Sequence, residues 1–162
     1  MKRTETRLAT IDDAEMIVAM LSKLAGEISG PDHCNSTRQA IEKYGFGKNP
    51  LFQCLVATSE TTALGMALFF PTFSSDRGKP GVYVQDLWVS HGARGQGLGQ
   101  QLLSDVISHA RGQWDAAYLM LVVHANNENA REFYQRLGFT SDQNDMPLAL
   151  DGDAFARIGG DA

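Results

Sequence analysis

The segment Arg94-Gly95-Gln96-Gly97-Leu98-Gly99 has the residue types to hold a phosphate. It follows an apolar run ending at Val89 and opens a stretch with apolar residues at helical spacing. A helix start exposes main-chain N–H groups that have no partner inside the helix, and the helix dipole adds positive potential there. Glycines let the backbone close on an anion with no Cβ in the way. Arg94 can add a charge-assisted contact. The pattern is not a Walker loop, because Gly-Lys-Ser/Thr is absent, and not a dinucleotide fingerprint, because the third glycine position is Gln100. A glycine-rich turn between strand and helix with no ligand at all would show the same residues.

Other side chains could do proton chemistry. Asp86 sits inside the apolar run Val82–Val89, where a charge is costly unless it is used or paired. Tyr134 stands next to Phe133 on an apolar helical stripe. Adjacent helical residues point about 100° apart, so one of the two can pack inward while the other faces a ligand. His91 and His124 are isolated, and no His, Cys and carboxylate group has metal-ligand spacing, so no metal site is expected. No nucleophile-elbow motif supports a serine triad. Cys34 and Cys54 are too few for a disulfide framework and read as small apolar residues in a reducing compartment.

The elements that must carry these groups alternate strand and helix, which predicts an α/β or α+β chain. A short strand is expected over Thr6–Ala9. Capping signals at Thr10–Asp13 precede a helix with the stripe Ile17, Met20, Leu21 and Leu24. Gly30-Pro31 breaks the chain, and Ser36 with Gln39 predicts a capping box for a second helix ending at Gly45. Phe52–Ala57 and Ala63–Phe73 flank a polar turn and predict a hairpin. Ser74–Gly81 reads as a loop and Val82–Val89 as a buried strand. A helix from Gly97 buries Leu98, Leu102, Leu103, Val106, Ile107 and Ala110. A strand over Tyr118–Val123 leads to a fourth helix striped by Ala130, Phe133 and Leu137 and closed by Gly138. Pro147–Leu150 predicts a last strand, and the RIGGDA end reads as frayed.

Length and charge bound the function. The 162 residues suit one domain, 1–162, with a core over about residues 5–150. A net charge of −5 lacks the basic surplus of a nucleic-acid binder and is compatible with a cationic substrate. No run reaches the roughly 18 apolar residues that span a bilayer. The start, MKRTETRLATIDD, has no signal-peptide core, so no membrane association and a cytoplasmic location are expected.

Arg-Gly-x-Gly-Leu-Gly resembles the loop by which the GNAT superfamily of N-acetyltransferases holds the diphosphate of coenzyme A. Further on, Val123-His124-Ala125-Asn126-Asn127-Glu128-Asn129-Ala130-Arg131-Glu132-Phe133-Tyr134 and then Gly138-Phe139 resemble that superfamily's second signature: a strand, Asn-x-x-Ala, an aromatic pair and Gly-Phe. Tyr44-Gly45-Phe46-Gly47, Pro50, Phe52–Ala57 and Val84-Gln85-Asp86-Leu87-Trp88-Val89 are similar to the diamine (spermidine/spermine) and thialysine N-acetyltransferases. The likeness runs from about Arg7 to Phe139.

The resemblance implies a mixed, mostly antiparallel sheet with helices on both faces. The strands Val82–Val89 and Tyr118–Val123 would run parallel and splay apart to admit acetyl-CoA, the co-substrate. It implies that Arg94, Gly95, Gln96, Gly97, Leu98 and Gly99 grip the diphosphate. Main-chain groups of Leu87, Trp88 and Val89 would meet the pantetheine arm and polarise the carbonyl. Asn127 and Ala130 would join the donor site, Asn127 either touching the donor or capping the fourth helix. Tyr134 becomes the general acid for the leaving thiol. Asp86, Gln85 and Glu27 fall where an amine substrate is held, and Asp86, another carboxylate or water would take its proton. Gln85 departs from the family pattern: a glutamate stands there in the diamine enzymes, and an amide cannot take a proton from an ammonium. The expected activity is acetyl transfer to the primary amine of a small molecule, such as a polyamine, a diamine or a lysine-like amino acid, in a homodimer. Acetylation of protein N-termini or lysines, and acyl-CoA binding without turnover, are the alternatives.

Overall fold

The computed structural model describes residues 4–30, 33–142 and 144–160. Residues up to Asn127 form one compact unit, and Glu128 onward forms a second.

The first unit is a five-stranded sheet in the order β1-β2-β3-β4-β5, with β1 at Glu5–Leu8, β2 at Gln53–Ser59, β3 at Thr62–Ser74, β4 at Lys79–Val89 and β5 at Leu119–Met120. The first three pairings are antiparallel and β4–β5 is parallel, so the expected mixed sheet is present. Ser74–Gly81 is shorter as a loop than its sequence suggests, because β3 and β4 continue pairing out to Ser74 and Lys79. β5 is much shorter than the expected Tyr118–Val123. It pairs with β4 only at Val82–Leu119 and Tyr83–Met120. Among the described residues, Val84–Val89 has no ladder partner on that side.

Helix α1, Ala14–Ile28, follows a short 3-10 turn at Ile11–Asp13. The turn is fixed by Asp13, which accepts both Arg7 nitrogens at 2.7 and 2.9 Å and the Thr10 main-chain N–H at 2.7 Å. Helix α2, Arg38–Phe46, is capped by Thr37 rather than Ser36, the Thr37 hydroxyl accepting from the Ala40 N–H at 3.2 Å. The threonine takes the role because its backbone is extended immediately before the first helical residue. The break at Gly30-Pro31 is described only as far as Gly30, since Pro31 lies outside the described residues.

The two faces of the sheet are covered by different helices. Ile17, Met20 and Leu21 of α1 and Ile41 of α2 pack with Cys54, Val56, Met66 and Trp88. On the other face lies α3, Leu98–Trp114. Phe69 meets the rings of His109 and Trp114 there, and a side chain on Gly65 would press on Leu98 and Leu102. Leu102, Leu103, Val106 and Ala110 of α3 are buried, as their spacing predicts.

In the second unit, α4 spans Glu128–Arg136. It closes at Gly138, whose N–H donates to Gln135, while the Phe139 N–H returns to the Tyr134 carbonyl. The expected strand at Pro147–Leu150 does not form. The chain enters helix α5, Gly152–Gly159, instead. Phe155 and Ile158 lie on one helical face, and Asp153 and Arg157 complement the helix dipole at its two ends. The expected frayed end is thus helical to Gly159, with Asp161 and Ala162 outside the described residues.

Candidate active site

The glycine turn has the backbone geometry of a helix-start anion site. Gly95 and Gly97 have left-handed backbones, with φ of 74° and 82°. A Cβ at either would meet nothing within 4 Å, so it is the sign of φ, not crowding, that selects glycine, and the space over the turn is open. Gly97 is the N-cap of α3, and the Gln101 N–H makes the first bond of the helix, to the Gly97 carbonyl at 2.9 Å. The N–H groups of Leu98, Gly99 and Gln100 therefore lie ahead of the helical ladder, at the positive end of a 17-residue helix. Gln96 folds back, its amide donating to the Gly92 carbonyl at 2.9 Å.

The Arg94 side chain is engaged within the protein. Its Nε donates to the Val89 carbonyl at 2.9 Å, and Nη2 donates to Glu27 Oε2 at 2.5 Å. The other oxygen of Glu27 accepts from the Trp88 indole N–H at 3.2 Å. Glu27, expected from the resemblance at the substrate site, is thereby joined to the glycine turn and to β4. Lys23 adds its ammonium 5.5 Å from the centre of the Trp88 ring. Neither Lys23 nor the Glu27–Arg94 contact is visible in any local sequence pattern, since the ion pair spans 67 residues.

A β-bulge shapes the neighbouring stretch of β4. Asp86 is opposite Leu68, but Val84 is opposite Phe69, so Gln85 is the extra residue with no cross-strand partner. Phe69 faces α3, and Val84 with it. After the bulge, Trp88 opposite Met66 belongs to the α1 core, and Asp86, two residues back, shares that face. Gln85 is exposed and Asp86 half-buried. Burial pushes the Asp86 carboxyl above the usual carboxylate range. Burial, together with the charge of Asp86 and then Asp13, raises the neighbouring Cys54 thiol, which keeps that sulfur protonated and inert.

The N–H and C=O groups of Leu87, Trp88 and Val89 lie on the part of β4 that β5 does not reach. Of these, the Val89 carbonyl is taken by Arg94. A cleft of about 1110 Å³ adjoins the turn on the α3 side, lined by Thr6, Ser59, Ser90, Gln96 and Gln101 among others. It does not bring in Glu27, Asp86 or Trp88, which belong to the α1 face.

In the second unit, Tyr134 lies on α4 between Phe133 and Phe139, with ring centres 5.1 and 5.2 Å away. Burial pushes its hydroxyl up to about 12, so it stays protonated at neutral pH. Asn127 directly precedes α4, its N–H donating to the His124 carbonyl at 2.9 Å, and Ala130 sits in the first turn of that helix. His91 and His124 are exposed, while His109 is wedged against Phe69 and Trp114 and meets Gln53 at 2.7 Å. Among the described residues, no three His, Cys, Asp or Glu side chains gather to hold a metal, and no helix is long and apolar enough to cross a membrane.

The model of the acetyltransferase (GNAT) family matches residues 18–139. This chain belongs to the GNAT family. The matched stretch contains both the glycine turn and α4, so this GNAT chain is an acetyltransferase with the family's two signature segments in order. It is 26% identical over 171 residues to mouse thialysine N-epsilon-acetyltransferase, covering 99% of each chain. It is 28% identical over 82 residues to the spermine/spermidine N(1)-acetyltransferase of Bacillus subtilis, covering 49% of this chain and 54% of that one. An integron cassette protein from the mobile metagenome of V. cholerae shares its fold at a TM-score of 0.80 and 20% identity, over 98% of both chains.

Proposed function

We propose that this GNAT enzyme transfers the acetyl group of acetyl-CoA to the primary amine of a small cationic molecule, of the polyamine, diamine or lysine-like class. The observation that carries the reading is the open turn at Gly95 and Gly97, whose left-handed glycines and leading α3 amides suit a diphosphate. The residues present fit that group: Arg94–Gly99 would hold it by main-chain N–H, and Leu87 and the Val89 N–H, on the edge of β4 turned away from β3, would meet the arm beyond. When bound, the donor supplies an activated thioester.

The chain's own residues supply the rest. Asp86 attracts the ammonium of the acceptor on the α1 face. Its raised carboxyl is a better proton acceptor than an exposed one, acting directly or through water. The freed amine nitrogen forms a bond to the acetyl carbon as the carbon–sulfur bond breaks. The β4 N–H groups near Trp88 and Val89 stabilise charge on the carbonyl oxygen. Tyr134 hydrogen-bonds the departing sulfur and donates its proton. With its hydroxyl pushed up to about 12 it is a weak acid, so its first service is a permanent O–H donor rather than a complete early transfer. Proximity makes the attack efficient without a covalent enzyme intermediate.

The names of the relatives, thialysine and spermine/spermidine acetyltransferases, support the amine class. The same reading includes a homodimer, supported by exposed apolar residues of the second unit, Met146, Leu148, Phe155 and Ile158; light scattering tests it. The experiment for the reaction is incubation with acetyl-CoA and a panel of polyamines, diamines, lysine analogues and peptides while free thiol is measured. Thiol release with a small amine is the expected result. Release with peptides alone would favour a protein acetyltransferase, and tight CoA binding with no release would mean a binding module.

A further inference from the structure

We infer that Glu27 is a positioning residue for the donor: it holds the diphosphate turn in shape through Arg94 instead of serving as a ligand of the amine. The inference rests on the donor-binding reading above and assigns a new role within that site.

Glu27 Oε2 receives Arg94 Nη2 at 2.5 Å, Arg94 Nε reaches the Val89 carbonyl at 2.9 Å, and Glu27 Oε1 receives the Trp88 indole at 3.2 Å. Arg94 immediately precedes Gly95, the first left-handed glycine of the turn. Glycine loses more conformational freedom than any other residue when it must take one shape, and this segment has glycines at positions 95, 97 and 99. Tying Arg94 to a strand carbonyl and to a helix removes part of that cost before the ligand arrives, which is preorganisation. The guanidinium is thereby held back along β4, and the anion is met by main-chain amides.

Two further facts favour this role. Glu27 lies in the last turn of α1, where no basic residue is present and the helix dipole disfavours a carboxylate. An acid there is offset by Arg94. Both carboxylate oxygens already have donors, and the charge is already opposed by a cation, so its pull on an ammonium is weakened. Asp86, which has no cationic partner among the ion pairs of the described residues, keeps that task.

The test uses the full chain with Glu27→Gln, Arg94→Gln and the double variant. CoA affinity is measured by calorimetry. Steady-state KM values for acetyl-CoA and for the amine that releases thiol fastest are measured separately. The pair is partly exposed, at 43% and 45%, so a modest effect is expected. Glu27→Gln should weaken CoA binding and raise the KM for acetyl-CoA roughly three- to tenfold. The amine KM and the kcat at saturation should hold, and the second substitution should add nothing in the double variant. A rise in the amine KM with CoA affinity intact would overturn the inference, as would fully additive effects. Failure of the unaltered protein to bind CoA would sink the donor reading itself.

Discussion

Asp86 pairs with Leu68 across the β3–β4 ladder, one step out of the register set by Val84 and Phe69. That one-residue slip turns the rest of β4 over. Strict alternation would place Val82, Val84, Asp86 and Trp88 on one face. The bulge at Gln85 sends the valines toward α3 and the acid and indole toward α1. Gln85 is the inserted residue that does this, since Val84 and Asp86 take opposite faces although they stand two positions apart.

Gln85→Glu should add a second carboxylate beside Asp86 on the exposed strand position. Activity toward cationic amines is expected to rise a few-fold at neutral pH, read as kcat/KM from thiol release. No change would mean that the Gln85 side chain does not face the acceptor.

Asp86→Asn removes the acceptor's counter-charge and the proton acceptor. We expect kcat/KM for amines to fall by roughly 10²–10⁴. Stability should move the other way. A carboxyl whose folded value is raised destabilises the fold in its charged form. That cost is absent below the ordinary carboxylate value of about 3.9 and grows as pH rises through the raised one. The asparagine variant should melt higher than the original at pH 7, with the gap closing toward pH 4 in thermal unfolding.

Tyr134→Phe keeps the ring among Phe133 and Phe139 but removes the O–H. Turnover should drop about 10²-fold or more with CoA affinity nearly unchanged. A full rate across the pH range would rule out proton donation by this hydroxyl.

Gly97→Val places a β-branched residue at φ 82°. Strain of about 1–2 kcal/mol falls on the turn, because a Cβ disfavours the left-handed region. CoA binding by calorimetry should weaken tenfold or more, while Gly92→Ala, where a Cβ meets nothing, should change it little.

Asp13 serves only the fold. Arg7 donates twice to it and Thr10 twice, from its main-chain N–H and its hydroxyl, and these bonds, those of Arg7 first, hold its carboxyl below the usual range. Asp13→Ala should cost about 2–3 kcal/mol in urea unfolding without altering kcat. For a carboxyl lowered in this way, the stabilisation is present above the ordinary carboxylate value and lost as pH falls through the folded one. Acid unfolding of the original protein should begin there.

Local spacing was enough for the elements whose residues repeat along the chain: the α1 stripe of Ile17, Met20 and Leu21, the α3 stripe of Leu102 and Val106, and the glycine turn between β4 and α3. Each is a matter of spacing and backbone preference within a few residues. It missed the cap at Thr37 by one position, because Ser36 and Thr37 both offer a hydroxyl and only the backbone angles choose. It overextended β5 and expected a strand at Pro147–Leu150, because a strand exists only where a neighbour supplies hydrogen bonds. Which face of the sheet Asp86 occupies was decided by a ladder slip. Which residue holds Arg94 was decided by a contact across 67 positions. Both depend on pairing between distant segments, so only the tertiary structure could fix them.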